Sequence, residues 1–165
     1  MRTLKIALLA TAAVAALSSA TMAADLVIEP EPVIDNSFGG FDWEGPYAGL
    51  WVGGLTNPAV FALGADLGVN ALIDSSLLAG VEGNISWESN STWSVQGHGR
   101  LGFLADPALI YGLAGVGWNS GSGAYIPLGV GAEFAVADNL SLKAEYNYQW
   151  GPNRHVGKVG FNFHF

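Results

Sequence analysis

Phe61-Ala62-Leu63-Gly64-Ala65-Asp66-Leu67-Gly68-Val69-Asn70-Ala71 puts an apolar side chain at every second position. Phe61, Leu63, Ala65, Leu67, Val69 and Ala71 form one row; Gly64, Asp66, Gly68 and Asn70 lie in the other. A period of two is that of a β-strand, whose successive side chains point to opposite faces, so one face is greasy and the other polar. The pattern recurs downstream. Val81, Ile85 and Trp87 oppose Glu82, Asn84 and Ser86; Trp93, Val95, Leu101 and Phe103 oppose Ser94, Gln96, His98 and Arg100. Near the end, Leu140, Leu142, Ala144, Tyr146, Tyr148 and Trp150 oppose Ser141, Lys143, Glu145, Asn147 and Gln149. Last, Val159, Phe161, Phe163 and Phe165 stand against Lys158, Gly160, Asn162 and His164.

Turn residues divide this text at Asn57-Pro58, Asp74-Ser75-Ser76, Glu88 to Thr92, Asp106-Pro107, Asn119 to Gly123, Asp138-Asn139 and Gly151-Pro152-Asn153. Eight strands follow, at about 46–56, 59–73, 77–87, 93–104, 108–118, 124–136, 140–150 and 155–165. Strands one and five alternate poorly, which leaves their facing open. The 23 glycines, spread from Gly39 to Gly160 without a collagen period, argue against long regular helices and suit strands that bend or pack closely.

Upstream the composition changes twice. Arg2 and Lys5, the apolar run Ile6 to Leu17 and the small-residue site Thr21-Met22-Ala23 read as a secretory signal over residues 1–23. The run is about a dozen residues, short of the roughly 20 that a spanning helix needs. Residues 24–44 carry Pro30, Pro32 and six acids (Asp25, Glu29, Glu31, Asp35, Asp42 and Glu44), the composition of a flexible acidic periplasmic linker. Residues 45–165 remain for the barrel.

Charge narrows the class further. Only 12% of residues are charged while 50% are hydrophobic, about half the charge of a typical soluble domain. Loss of the leader removes Arg2 and Lys5 and leaves four bases against 14 acids, which disfavours nucleic acid as a partner. With no cysteine, disulfide frameworks and thiolate metal sites are excluded.

Alternation alone does not choose between a soluble barrel and a membrane barrel; three features do. Aromatics gather near strand ends, with Trp87, Trp93, Trp118, Tyr125, Tyr148 and Trp150 at one rim and Tyr47, Phe103, Tyr111, Phe134 and Phe165 at the other. Two such belts match the headgroup layers of a bilayer. The polar face carries Asp66 and charges of both signs in hairpin register: Glu82 faces His98 with Arg100 diagonal, Glu133 comes near Lys143, and Glu145 near Lys158. Such pairing suits an enclosed lumen, because a buried charge needs a partner. Finally, the chain stops on the aromatic run Phe161, Phe163, Phe165, and an exposed strand this apolar would aggregate in water unless closed against strand one. The expected fold is all-β: an eight-stranded antiparallel up-and-down transmembrane β-barrel with short loops.

At Asp42-Trp43-Glu44-Gly45-Pro46-Tyr47-Ala48-Gly49 the sequence resembles the start of strand one in the small alphaproteobacterial outer-membrane β-barrel family, related to the opacity-type and OmpA-like barrels. In that family a Trp-x-Gly-Phe-Tyr-x-Gly pattern follows a cleaved signal and an acidic, Pro-rich linker; Pro46 stands here in place of the aromatic. The resemblance implies a cell outer membrane location in a Gram-negative bacterium, contact with outer-membrane lipid and lipopolysaccharide, and both termini on the periplasmic side, which places the Trp-rich rim outside. Phe161, Phe163 and Phe165 resemble the C-terminal signal read by the outer-membrane assembly machinery. Surface antigens and adhesins of the family tend to carry long external loops, whereas every connection here is about two to five residues.

Chemistry is sparse. Gly97-His98-Gly99-Arg100-Leu101-Gly102 matches a dinucleotide fingerprint but lies within a strand, where no helix follows to bind a pyrophosphate. His98, His155 and His164 lack metal-ligand spacing and read as lumen or rim polar groups. No spacing supports a nucleophile system, although His155 with Ser120 or Ser122 is the arrangement a lipid hydrolase would need. No catalytic residue, cofactor or metal is expected. The expectation is a non-enzymatic structural barrel contributing to outer-membrane integrity. Its alternatives are a small porin-like channel, a surface interaction protein, a lipid-modifying enzyme, or a soluble periplasmic barrel holding a lipid.

Overall fold

The computed structural model describes residues 41–105 and 107–165. The expected signal over 1–23, most of the linker and Asp106 of one turn lie outside the described residues. Eight strands follow one another: β1 Gly45–Leu55, β2 Val60–Leu72, β3 Leu77–Glu88, β4 Thr92–Ala105, β5 Ala108–Asn119, β6 Gly123–Ala137, β7 Leu140–Trp150 and β8 Arg154–His164. Each pairs antiparallel with its neighbour, and β8 pairs with β1 to close the barrel.

Closure has a measurable stagger. Following Cα partners from Gly45 through Asn70, Gly80, Arg100, Leu113, Gly129, Asn147 and Val156 returns to β1 at Leu55, ten residues beyond the start. A shear of ten over eight strands tilts each strand by roughly 40° from the barrel axis. An 11-residue strand such as β1 then rises roughly 28 Å, enough to cross an apolar band of about 25 Å.

Connections are short, at most the four residues 73–76 or 56–59 between strands. Their chemistry fits. In the β2–β3 turn the Asp74 carboxylate accepts the Ser76 and Leu77 N–H groups at 2.8 and 2.9 Å. Those bonds, Ser76 first, hold the Asp74 carboxyl below its ordinary pKa. The β7–β8 turn uses Gly151 at φ +123° and Asn153 at +53°, conformations other residues adopt at a cost.

Facing follows the pleat. Leu63, Leu67, Val81, Ile85, Leu101, Leu128, Leu142 and Val159 all lie on the exposed outer surface, with Leu67 67% exposed. Asp66, Glu82, Arg100, Glu133, Lys143 and Lys158 are each at most 4% exposed and point inward. The greasy row therefore faces outward and the ionic row is enclosed, the arrangement of a transmembrane barrel.

β1 and β5, whose alternation is weak in the text, obey the same rule. Their inward positions hold Tyr47, Trp51, Leu55, Leu109, Tyr111 and Leu113 besides glycine and the terminal Asn119, so the inner row is nearly as apolar as the outer. Room for these rings comes from glycines on adjacent strands. Gly68 lies under Tyr47, Gly64 under Trp51, Gly131 under Tyr111 and Gly117 under Tyr125, and a β-carbon at any of them would overlap the ring.

This packing corrects part of the expected girdle. Tyr47, Tyr111 and Tyr125 are 0%, 2% and 4% exposed and fill the lumen, because each shares the pleat parity of the inner row and has a polar partner there. The outer belts are Trp87, Trp93, Trp118 and Trp150 at one rim and Phe103, Phe134, Phe163 and Phe165 at the other. Before β1, Phe41 and Trp43, expected within the linker, are buried in the mouth of the barrel against Leu78, Leu104, Leu109, Tyr111 and Leu113. Trp43 is held there by its carbonyl, which accepts the Asn70 Nδ2–H at 3.0 Å.

Two substitutions test this arrangement in chain refolded into detergent micelles and unfolded with denaturant. Leu67→Arg, which sets a charge at mid-strand against hydrocarbon, should cost about 2–4 kcal/mol. Gly68→Ala should cost about 1–3 kcal/mol through collision with Tyr47, and much of that loss should disappear in the Gly68→Ala/Tyr47→Ala double variant.

Candidate functional site: the ionic lumen and the rims

Every lysine and arginine of residues 41–165 lies inside the barrel. The sequence reading brings Asp66, Glu82, His98, Arg100, Glu133, Lys143, Glu145 and Lys158 to the lumen, and the structure places all eight there. Their partners differ in part from simple hairpin neighbours. Glu133 and Lys143 are register partners, yet Arg100 Nη1 holds Glu133 Oε1 at 2.6 Å while Lys143 reaches across the lumen to Asp66 and, at 3.3 Å, to Glu82 Oε2. Only a closed tube brings β7 and β2 side chains together. Lys158 and Glu145 do pair as neighbours, at 2.5 Å.

Neutral groups complete the network. Arg100 donates from Nε and Nη2 to Asn70 Oδ1 at 3.0 and 2.8 Å, and its guanidinium stacks 4.4 Å from the Tyr47 ring centroid. Tyr47 Oη donates to Glu82 Oε2 at 2.8 Å, Tyr111 Oη to Glu145 Oε2 at 3.3 Å, and Asn84 Nδ2 to Asp66. Buried charges are tolerated when paired and hydrogen-bonded in this way.

Toward the rim of the β1–β2, β3–β4, β5–β6 and β7–β8 turns a second ionic layer closes the tube. Arg154 holds Glu88 through two N–H groups at 2.8 and 2.9 Å. Glu88 also accepts from Thr92, Ser94 and Asn119 at 2.8, 3.1 and 2.9 Å. Glu88 and Arg154 escape the sequence reading because they sit at the turn boundaries, where alternation gives no facing. Between the two ionic layers, among Gln96, Tyr125, Asn147 and Lys158, the cavity is about 10 Å³, room for about one water molecule.

The histidines separate. His98 and His164 are inside, with His98 Nε2 3.6 Å from Glu82 Oε1 and His164 Nε2 3.2 Å from Ser141 Oγ. Although their spacing along the chain hides it, β3, β4 and β7 bring Glu82, His98 and Glu145 together with one ligand atom from each within 4.8 Å of the others. His155 lies outside, hydrogen-bonded through Nδ1 to Tyr146 Oη at 2.6 Å. Ser120 Oγ instead accepts the Trp93 N–H, and Ser122 Oγ donates to Asn119 Oδ1. Neither Ser120 nor Ser122 pairs with His155, and the Ser–His contact that does form, Ser141 with His164, is buried inside the tube. Gly97 to Gly102 runs straight within β4, with no helix after it.

The aromatic run at the end is outward: Phe161, Phe163 and Phe165 are 43%, 40% and 73% exposed. The Phe165 N–H donates to the Pro46 carbonyl at 3.1 Å and extends the β8–β1 seam to the last residue. Exposed charges among the described residues are acids at the same rim, Asp42, Glu44, Asp74 and Asp138, while the opposite turns are built of Ser, Asn, Gly, Pro, Ala and Thr. Because Lys143 compensates two carboxylates at once, Lys143→Met should cost about 3–5 kcal/mol of unfolding free energy, measured in micelles by denaturant titration.

Three comparisons bear on this geometry. The chain is 29% identical over 194 residues to the 25 kDa outer-membrane immunogenic protein of Brucella ovis, across 92% of both chains. The outer membrane enzyme PagL superposes with a TM-score of 0.62 at 12% identity, covering 72% of this chain and 99% of that one. Ail, the attachment invasion locus protein of Yersinia pestis, superposes with a TM-score of 0.54 at 15% identity, covering 74% and 99%. No family model matches the sequence. Sequence likeness to an outer-membrane protein over nearly the whole chain, joined to a closed tube that is greasy outside and ionic within, gives one conclusion: the protein is an eight-stranded β-barrel of the outer membrane.

Proposed function

We propose that this outer-membrane barrel is a non-enzymatic structural protein that contributes to the integrity of the membrane in which it sits. The filled lumen carries the proposal: among the described residues two ionic layers and inward rings pack the tube around a cavity of about 10 Å³. Eight strands enclose an interior that side chains fill. A chemical role would need a reactive constellation at a rim, and His155 is engaged by Tyr146 rather than by a serine. A receptor-binding role would need loop surface, and the connections span at most four residues.

On this reading the partners are lipids. Leu67, Val116, Val130 and Val159 meet acyl chains, and the tryptophan belt meets the headgroup or lipopolysaccharide layer on the outer side. With no Lys or Arg outside the lumen among the described residues, that contact is made by apolar and aromatic surface rather than by phosphate pairing. Phe161, Phe163 and Phe165 serve as the segment presented to the assembly machinery before the seam closes.

In planar bilayers the purified barrel should show no steady conductance, and lipid A incubated with it should keep all its acyl chains. A large stable conductance would instead make the protein a channel, and acyl release would make it an enzyme. Cells lacking the protein should admit hydrophobic dyes faster than the parent; equal uptake would remove the integrity role.

A further inference from the structure

The closed lumen carries a charge imbalance. Asp66, Glu82, Glu88, Glu133 and Glu145 are buried against Arg100, Lys143, Arg154 and Lys158, so five carboxylates face four bases. No other lysine or arginine exists in residues 41–165 to make up the difference. A charge enclosed without a partner is costly, so the compartment favours one more cation.

A place for it is already built. His98 Nε2 is buried, its side chain 0% exposed, and it has no hydrogen-bond partner. It points at Glu82 Oε1, 3.6 Å away, and Glu145 completes the group. Donor atoms around a tetrahedral ion with bonds of about 2.0–2.1 Å lie roughly 3.3 Å apart, so a shift of a few tenths of an ångström brings Glu82 and His98 to ligating distance. The oxygens nearest the ion carry only long contacts: Lys143 lies 3.4 Å from Glu82 Oε1 and Tyr111 Oη 3.3 Å from Glu145 Oε2, while the shorter bonds of Tyr47 and Lys158 fall on Glu82 Oε2 and Glu145 Oε1. Behind the ring, the Gln96 amide lies 3.0 Å from Nδ1 and also meets Tyr125 Oη. Turned over, that amide would present Oε1 to an Nδ1–H, the support that ligating histidines commonly have.

We infer that Glu82, His98 and Glu145 form an intralumenal site for one divalent transition-metal ion. One imidazole with two carboxylates suits Zn²⁺ or a similar ion better than Mg²⁺ or Ca²⁺, which prefer all-oxygen shells. The site is structural: it ties β3, β4 and β7 together across the tube at the point where the network has a surplus carboxylate.

The test is to fold the chain into phospholipid vesicles with Zn²⁺ or Co²⁺ present, remove unbound ion and measure metal per barrel. About one ion per folded wild-type barrel is expected, with Co²⁺ giving visible absorption of a low-coordinate site. His98→Gln should weaken binding by about tenfold or more, while His155→Gln, on the outer surface, should bind as the wild type does. No retained ion in the folded wild type, or equal retention in His98→Gln, overturns the proposal. Should His98→Gln fail the heat-shift test for folding, the ring ¹⁵N resonances of His98 in the wild type decide. Shifts that follow added Zn²⁺ support the site, and resonances that ignore it, or report a stable imidazolium, overturn it.

Discussion

Hydrocarbon supplies no hydrogen bonds, so a chain that crosses it as strands must pair every backbone N–H and C=O within itself. The seam between β1 and β8 completes this pairing around the tube, and the other features depend on it. Without the seam, β1 and β8 would be open edges of apolar sequence. With it, the inner faces of eight strands become one sealed compartment, and any charge in it must find its partner there. The stagger of ten residues sets which partners are available: it brings Lys143 of β7 within reach of Asp66 of β2, and Arg100 of β4 within reach of Glu133 of β6.

The compartment is packed by a division of labour between rings and glycines. A tube of this size has little width to spare, and a tyrosine or tryptophan on one strand is accommodated by removing the side chain from the residue beside it. Tyr47 with Gly68, Trp51 with Gly64, and Tyr111 with Gly131 are instances. The rings then place hydroxyl groups on carboxylates and offer their faces to Arg100 and Lys158. Aromatic residues in this barrel thus serve two environments, bilayer interface outside and ionic core inside.

That double use explains what could and could not be read in the text. Strand number, the greasy face and the membership of the ionic row follow from a period of two, which survives wherever one row is polar, as in β2, β4, β7 and β8. It fails in β1 and β5, where rings and leucines occupy the inner row too, and a tyrosine near a strand end looks the same whether it points to lipid or to the lumen. Hence Tyr47, Tyr111 and Tyr125 were assignable to a rim by position but not to a side by pattern. The cross-tube pairs were also invisible, because hairpin register relates adjacent strands only, and β2 with β7 or β3 with β8 are joined by the shear. The Glu88–Arg154 pair and the addition of Glu145 to the hairpin neighbours Glu82 and His98 belong to this second kind.

Confinement of all four bases has a consequence for how the molecule is handled by proteases. Trypsin-like enzymes grip a lysine or arginine side chain in an extended segment, and within residues 41–105 and 107–165 the folded tube presents none, since Arg100, Lys143, Arg154 and Lys158 are each at most 4% exposed. The same four positions become accessible together when the seam opens. Susceptibility of the barrel to such an enzyme is therefore tied to closure itself, and a chain that has failed to join its first and last strands carries its own mark for removal.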